Sequence, residues 1–275
     1  MKTYRTSLTI AGSDCSGGAG VQADLKTFSA LGVYGMSIIT ALTAQNTKAV
    51  TDVLPTPVEH LRKEFEAIFD DIRPDAIKIG MCVNEPIIDA IADGLMRHNA
   101  RNIILDPVMI STSGCQLIDD NAIAAMCNKL MPICDLLTPN RFEAERIAGM
   151  PIRRTSDVAD VAKRILEYAP AVLIKGGHID DDKMTDYLFV RGTSEPVTFT
   201  AHRIDTPNSH GTGCTLSSAI AAHIALGNNL IDAVRLAKDY LTNSLEHGSD
   251  VAIGHGHGPL NHFWGPKKLM IVNQK

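Results

Sequence analysis

The feature that most constrains this chain is its alternation of short apolar runs with amphipathic segments. Apolar runs at 6–11, 34–43, 76–80, 102–106, 136–138 and 171–175 read as strands. Between them, segments at 21–31, 58–71, 84–98, 121–130, 139 onward and 156–168 carry apolar residues at helical spacing or helix-start signals. Asn84 and Ser156 are the expected caps of two of these helices. Strands that alternate with helices at this spacing pair in parallel and are covered on both faces. The strands are also apolar without alternation, as doubly covered strands are. The expected fold is therefore α/β, with a central, mostly parallel sheet flanked by helices. The segment 184–200 reads as an antiparallel hairpin or meander. No linker, repeat or low-complexity stretch interrupts residues 1–275, so one domain is expected.

Composition narrows the function. The net charge is −5, and no block of like charge supports a nucleic-acid or membrane-surface partner. No run of 18 apolar residues suggests a span, and the start lacks a signal peptide's long apolar stretch. A cytoplasmic protein is expected. The six cysteines form no CxxC pair, so zinc and redox motifs are not indicated.

Glycines mark two candidate ligand loops. Gly12-Ser-Asp-Cys-Ser-Gly-Gly-Ala-Gly20 joins the first long strand to the first helix. It is neither a Walker A sequence nor GxGxxG, and it suits a phosphate, a flat ring close to backbone, or a plain tight connection. Later, Gly211-Thr212-Gly213-Cys214 runs into Thr215-Leu-Ser-Ser-Ala-Ile-Ala-Ala-His-Ile-Ala225, a buried helix. The free N–H groups and dipole at that helix start favour an anion, and would also favour a thiolate at Cys214. The alternative is a structural loop with Cys214 as a small buried hydrophobe.

Polar residues gather where the strands finish: Asp14, Gln45, Met81, Asp106, Asn140, Lys175 and Cys214. The carboxyl edge of an open α/β sheet is where ligands bind. Asp106 and Glu143 are candidates to hold Mg²⁺ directly or through water, and Lys175 to balance phosphate charge. The 211–214 turn is a candidate cradle for a transferred phosphoryl group. The tail 254–264, with His255, His257 and His262, reads as a flexible terminal loop or a metal site. Segments near 110–120 and 178–184 are candidate flaps.

These residues carry a resemblance. Ile10 to Phe28, Lys78-Ile-Gly-Met81, Asp106-Pro-Val-Met109, Thr138-Pro-Asn-Arg-Phe-Glu-Ala144, Lys175-Gly-Gly-His178 and His210-Gly-Thr-Gly-Cys214 closely resemble the hydroxymethylpyrimidine/phosphomethylpyrimidine kinases of thiamin biosynthesis. The likeness runs in order over nearly the whole chain, within the ribokinase-like superfamily. It implies ATP-dependent phosphorylation of a pyrimidine hydroxymethyl group and then of the monophosphate, with ATP and Mg²⁺ as cofactors, and it suggests a homodimer. It implies a pyrimidine pocket formed by Gly12, Asp24, Gln45, Met81 and Val108. It places Asp106, Asn140, Thr212 and Glu143 on the Mg²⁺–phosphate side and Lys175 at the ATP phosphates. Gly211 and Gly213 would supply the anion hole, and Cys214 the base, ionising near neutrality. Two readings compete: a pyridoxal kinase on the same scaffold, and a non-catalytic sensor of a small heterocycle. The amide of Gln45, able to pair with a ring nitrogen and an exocyclic amine together, favours the pyrimidine.

Overall fold

The computed structural model describes residues 1–110, 114, 116–176 and 183–273. His178, and residues 111–113, 115 and 178–182 of the two candidate flaps, lie outside them.

Among the described residues the core is a nine-stranded sheet. Its parallel strands are β2 (Thr6–Asp14), β3 (Tyr34–Gln45), β5 (Ala76–Ile79), β6 (Ile103–Leu105), β7 (Leu136–Leu137) and β8 (Ala171–Ile174). The expected hairpin is β9 (Lys183–Val190) with β10 (Val197–His202), added antiparallel to β8. The opposite edge is β4 (Val50–Pro55), antiparallel to β3. The order is β10-β9-β8-β7-β6-β5-β2-β3-β4. Sequence order therefore runs one way from β2 to β3 and the other way from β5 to β8. The crevice at that reversal, beside the end of β2, is where an open α/β sheet takes its ligand.

Both faces of the strands are apolar because both are covered. Ile103 and Leu105 pack into one core cluster and Ile104, between them, into the other. The first cluster is closed by α2 (Val58–Phe69), α3 (Glu85–Arg97), α4 (Asp120–Ala125), α5 (Arg141–Ala148) and α6 (Asp157–Ile165). The second is closed by α1 (Gly20–Ala30), α7 (Thr212–Ala225) and α8 (Leu230–Glu246). Helix α7 is buried on most sides. That is why its sequence is small and apolar rather than striped.

Several local expectations are met and several are corrected. Asn84 caps α3, its side chain accepting from the Ile87 N–H. Ser156 makes no capping bond; Asp157 instead accepts from the Arg153 and Arg154 N–H groups, a carboxylate at a helix start. The helix expected to run to residue 130 is α-helical only to Ala125 and continues as a π-helical turn over Met126–Leu130. Strand β4 and the small antiparallel pair β1 (Lys2–Tyr4) with β11 (Ile271–Asn273) lack the apolar pattern of buried strands, because they lie at edges. The histidine-rich tail is tied to the body rather than loose. His257 N–H donates to the Thr47 carbonyl at 2.9 Å, and His262 is buried against Thr215 at 3.0 Å. No group of three potential metal ligands occurs among the described residues.

Candidate active site

A cavity of about 1280 Å³ opens at the carboxyl edge of the sheet. Its lining includes Gly12, Gln45, Met81, Val108, Asp106, Asn140, Glu143, Lys175, Gly211, Thr212, Gly213 and Cys214. The strand ends from Gly12 to Lys175 are brought together because every parallel strand delivers its next residue to the same edge; Cys214, expected at a strand end, comes instead from the first turn of α7.

The two glycine loops interlock. Gly211 has φ +88°, and a Cβ there would lie 2.0 Å from the Gly18 carbonyl oxygen. A Cβ on Gly18 would lie 2.3 Å from the His210 ring. Only glycine permits this approach. The result sets the first turns of α1 and α7 side by side, with Cys214 between them. The Gly20 N–H at the start of α1 is directed to the Cys214 sulfur. Burial nevertheless pushes the thiol up to about 11, with Asp24 and Asp106 adding to the rise while Lys78 and the Gly20 N–H oppose it. This corrects the expectation that Cys214 ionises near neutrality: desolvation outweighs the helix start.

Asp24 is the second correction. It does not line the cavity; it is completely buried, its carboxylate 2.8 and 3.0 Å from Lys78 Nζ and bonded by Thr9 and Ser218. Ser218 stands one helical turn below Cys214, so this ion pair lies behind the thiol rather than beside a ligand.

Across the cavity Lys175 Nζ lies 3.0 Å from Asp106 Oδ1. A Cβ on Gly213 would lie 3.4 Å from Lys175 Nζ and 3.5 Å from Asp106 Oδ2, so the α7 N-terminus abuts this pair. Burial acts to lower the Lys175 pKa, but the Asp106 and Glu143 carboxylates reverse it and hold the ammonium charged. Asn140 and Glu143 form a capping box at α5, Glu143 Oε2 accepting from the Asn140 N–H at 2.8 Å. Burial pushes Glu143 up to about 7; Lys175 opposes this and Asp106 adds to it. Both carboxylates are thus already engaged by protein donors. They fit a Mg²⁺ ion held through water and phosphate oxygens better than a cage of direct protein ligands.

Lys238, Asp186 and His210 also line the cavity, with no role expected of them from the sequence. Lys238 of α8 pairs with Asp186 of β9 at 2.7 Å, a contact 52 positions apart with no local signature. His210 was visible as the first residue of the His-Gly-Thr-Gly-Cys turn. It lies 2.9 Å from Asp14, whose carboxylate also collects N–H groups from Ser16, Gly18 and Ala19.

The mostly parallel sheet, with a helix start set against a Lys–acid pair at its carboxyl edge, has the ribokinase-like fold of the kinases that it resembles. The family model described as phosphomethylpyrimidine kinase matches residues 14–261, and the chain belongs to that family. It is 45% identical to the hydroxymethylpyrimidine/phosphomethylpyrimidine kinase of Escherichia coli over 93% of this chain and 96% of that one. It is 48% identical to the enzyme of the same name from Rhizobium meliloti, with the same coverage. Among solved structures, phosphomethylpyrimidine kinase from Clostridium difficile has a TM-score of 0.77 at 44% identity, covering 87% of this chain and 99% of that one. Bacillus subtilis pyridoxal kinase, in its ADP complex, has a TM-score of 0.86 at 33% identity, covering 94% and 98%.

Proposed function

We propose that the chain transfers the γ-phosphoryl group of ATP to the hydroxymethyl group of 4-amino-5-hydroxymethyl-2-methylpyrimidine, and then phosphorylates the monophosphate to the diphosphate. The observation that carries this reading is the placement of Gln45 and Cys214 in one cavity with the Lys175–Asp106 pair. Gln45, with Gly12, Met81 and Val108, would hold the ring, its amide matching a ring nitrogen and an adjacent amine. The ring's hydroxymethyl group would then point toward Cys214.

The N–H groups of the 211–214 turn would stabilise charge on the moving phosphoryl group, with Lys175 at the phosphate oxygens. Thr212 and Asn140 would complete the phosphate side. Asp106 and Glu143 would hold Mg²⁺ through water, an ion that neutralises phosphate charge when bound. Burial raises the Cys214 thiol, so it would take the hydroxyl proton through its ionised form, which Lys78 and the Gly20 N–H favour. The reading extends to a single-domain cytoplasmic homodimer. Leu42 and Leu54, register partners exposed on the β3–β4 edge, offer an apolar face for a second copy.

The test is ATP consumption with product mass analysis, with hydroxymethylpyrimidine, its monophosphate and pyridoxal offered separately. Two successive phosphate additions to the pyrimidine are expected. Turnover on pyridoxal alone would move the substrate to the pyridine class, which the pyridoxal kinase likeness in fold keeps as the second reading.

A further inference from the structure

Gln45 reaches the cavity with its amide between two neighbours whose hydrogens can be counted. On one side, His210 Nε2 lies 3.0 Å from the amide nitrogen and 2.9 Å from Asp14 Oδ2. On the other, Thr43 Oγ1 lies 3.4 Å from the amide oxygen and 2.9 Å from the Ser13 carbonyl. Oxygen and nitrogen of an amide are told apart only by the hydrogen bonds that they make.

Asp14 is a carboxylate. Burial disfavours its charge, but the bonds from His210, Ser16 and Ala19 prevail and lower it to about 2. A carboxylate offers only acceptors, so the ring nitrogen facing it carries a hydrogen whether the imidazole is neutral or charged. That N–H cannot accept from an amide NH₂. The Thr43 hydroxyl has one hydrogen, already given to the Ser13 carbonyl, and so can accept but not donate again. Both neighbours therefore require the opposite sense: amide oxygen toward His210, amide nitrogen toward Thr43. The His210 hydrogen is then shared between Asp14 and Gln45, a three-centre arrangement. The imidazole is itself fixed, packed on Gly18 and tied through its backbone N–H to the Gly258 carbonyl at 3.0 Å.

We infer that His210, oriented by Asp14, is a positioning residue that sets the sense of the Gln45 amide and so fixes which end of the bound ring must donate and which must accept. This rests on Gln45 as the ring-reading residue. With the sense set, Gln45 keeps one oxygen lone pair and one N–H for the ligand. An aminopyrimidine presents the complementary pair, an amine hydrogen beside a ring-nitrogen lone pair. Without His210 only the longer Thr43 contact, at 3.4 Å, holds the amide sense, so the amide turns in part of the population and one of those two contacts is lost there.

Two measurements test it. Nitrogen-15 NMR of the wild-type protein without ligand reads the His210 ring directly: a hydrogen on Nε2 is expected, and a bare Nε2 overturns the inference whatever the substrate proves to be. Kinetics then compare two variants, confirmed as folded by circular dichroism, on hydroxymethylpyrimidine. His210→Phe removes the donor and should raise KM for the pyrimidine about 5- to 50-fold, more than it lowers kcat, with KM for ATP unmoved. His210→Gln, whose NH₂ can donate to Asp14 and Gln45 together, should recover most of that loss. In a Gln45→Ala background the Phe substitution should add little further, since its effect passes through Gln45. Equal KM in His210→Phe and wild type, a Gln variant as impaired as the Phe one, or full additivity with Gln45→Ala overturns the role. If wild type does not phosphorylate the pyrimidine at all, the substrate reading fails, while the NMR result still decides the amide sense.

Discussion

Lys78 and Asp24 form an ion pair with no solvent exposure on either side chain, 2.8 Å apart, one helical turn behind Cys214. The pair closes a ring of donors in which Thr9 and Ser218 bond the two carboxylate oxygens. Asp24 reverses the burial penalty on Lys78 and holds the ammonium charged. Removing one partner leaves an uncompensated charge in the core. Lys78→Met should therefore destabilise by about 3–5 kcal/mol, read by urea unfolding. The double variant Lys78→Met, Asp24→Asn should lose clearly less. Equal losses would mean that packing of the lysine stem, not charge, dominates.

The base role of Cys214 is testable through pH. Burial holds its thiol at about 11, so at neutral pH the ionised fraction is small and grows about tenfold per pH unit. If Cys214 is the base, kcat should rise with pH from 7 to 9 without a plateau. Cys214→Ala should keep ring binding, lower kcat by about 10²–10⁴-fold and flatten that profile. Near-wild-type turnover in the variant would exclude the base role.

Most of the fold was legible because the parallel strands are buried on both faces and read as uninterrupted apolar runs. The edge strands β1, β4 and β11 were not, since they bury too little to show a pattern. Much of the candidate cavity was legible as strand ends, which topology carries to one edge; the 211–214 turn reaches the same edge as the start of α7. Asp24 was misplaced because its motif neighbours do line the cavity; its burial depends on Lys78, 54 positions away. The neutrality of Cys214 was hidden for a similar reason. A helix start is visible in sequence, but the depth at which it is buried is not. His210 stood in view within its glycine turn, but its partner Asp14 lies 196 positions away, and Lys238, paired with Asp186, has no local mark at all.

Glu143 should leave a signature in stability. Its carboxyl, pushed up to about 7 by burial against the opposing pull of Lys175, has an ordinary value of 4.5 when unfolded. Between those values the folded protein binds more protons than the unfolded chain. Stability from this group is therefore full below the unfolded value and is lost as pH rises toward 7. Glu143→Gln keeps an acceptor for the Asn140 N–H and has no charge to bury. Relative to that variant, wild type should lose stability from pH 4.5 to 7 and lose no more above it. Parallel curves of midpoint against pH would show that Glu143 titrates normally.

Gly211 and Gly213 stand two residues apart and should fail for different reasons. At Gly211 the backbone is left-handed, and a methyl group would collide with the Gly18 carbonyl at 2.0 Å. Gly211→Ala should force the two loops apart, lowering stability by about 1–3 kcal/mol or more and activity with it. Gly213 has ordinary dihedral angles, and its added methyl would meet Lys175 and Asp106 at 3.4 and 3.5 Å, normal contact distances. Gly213→Ala should therefore fold with a near-wild-type melting temperature. It should still lose turnover, because the methyl group occupies the space between the α7 N–H groups and the lysine where a transferred phosphoryl group would sit. A Gly213→Ala enzyme of normal melting temperature and normal kcat would remove the 211–214 turn from the reaction. One that is unstable and inactive would reduce the turn to a structural element.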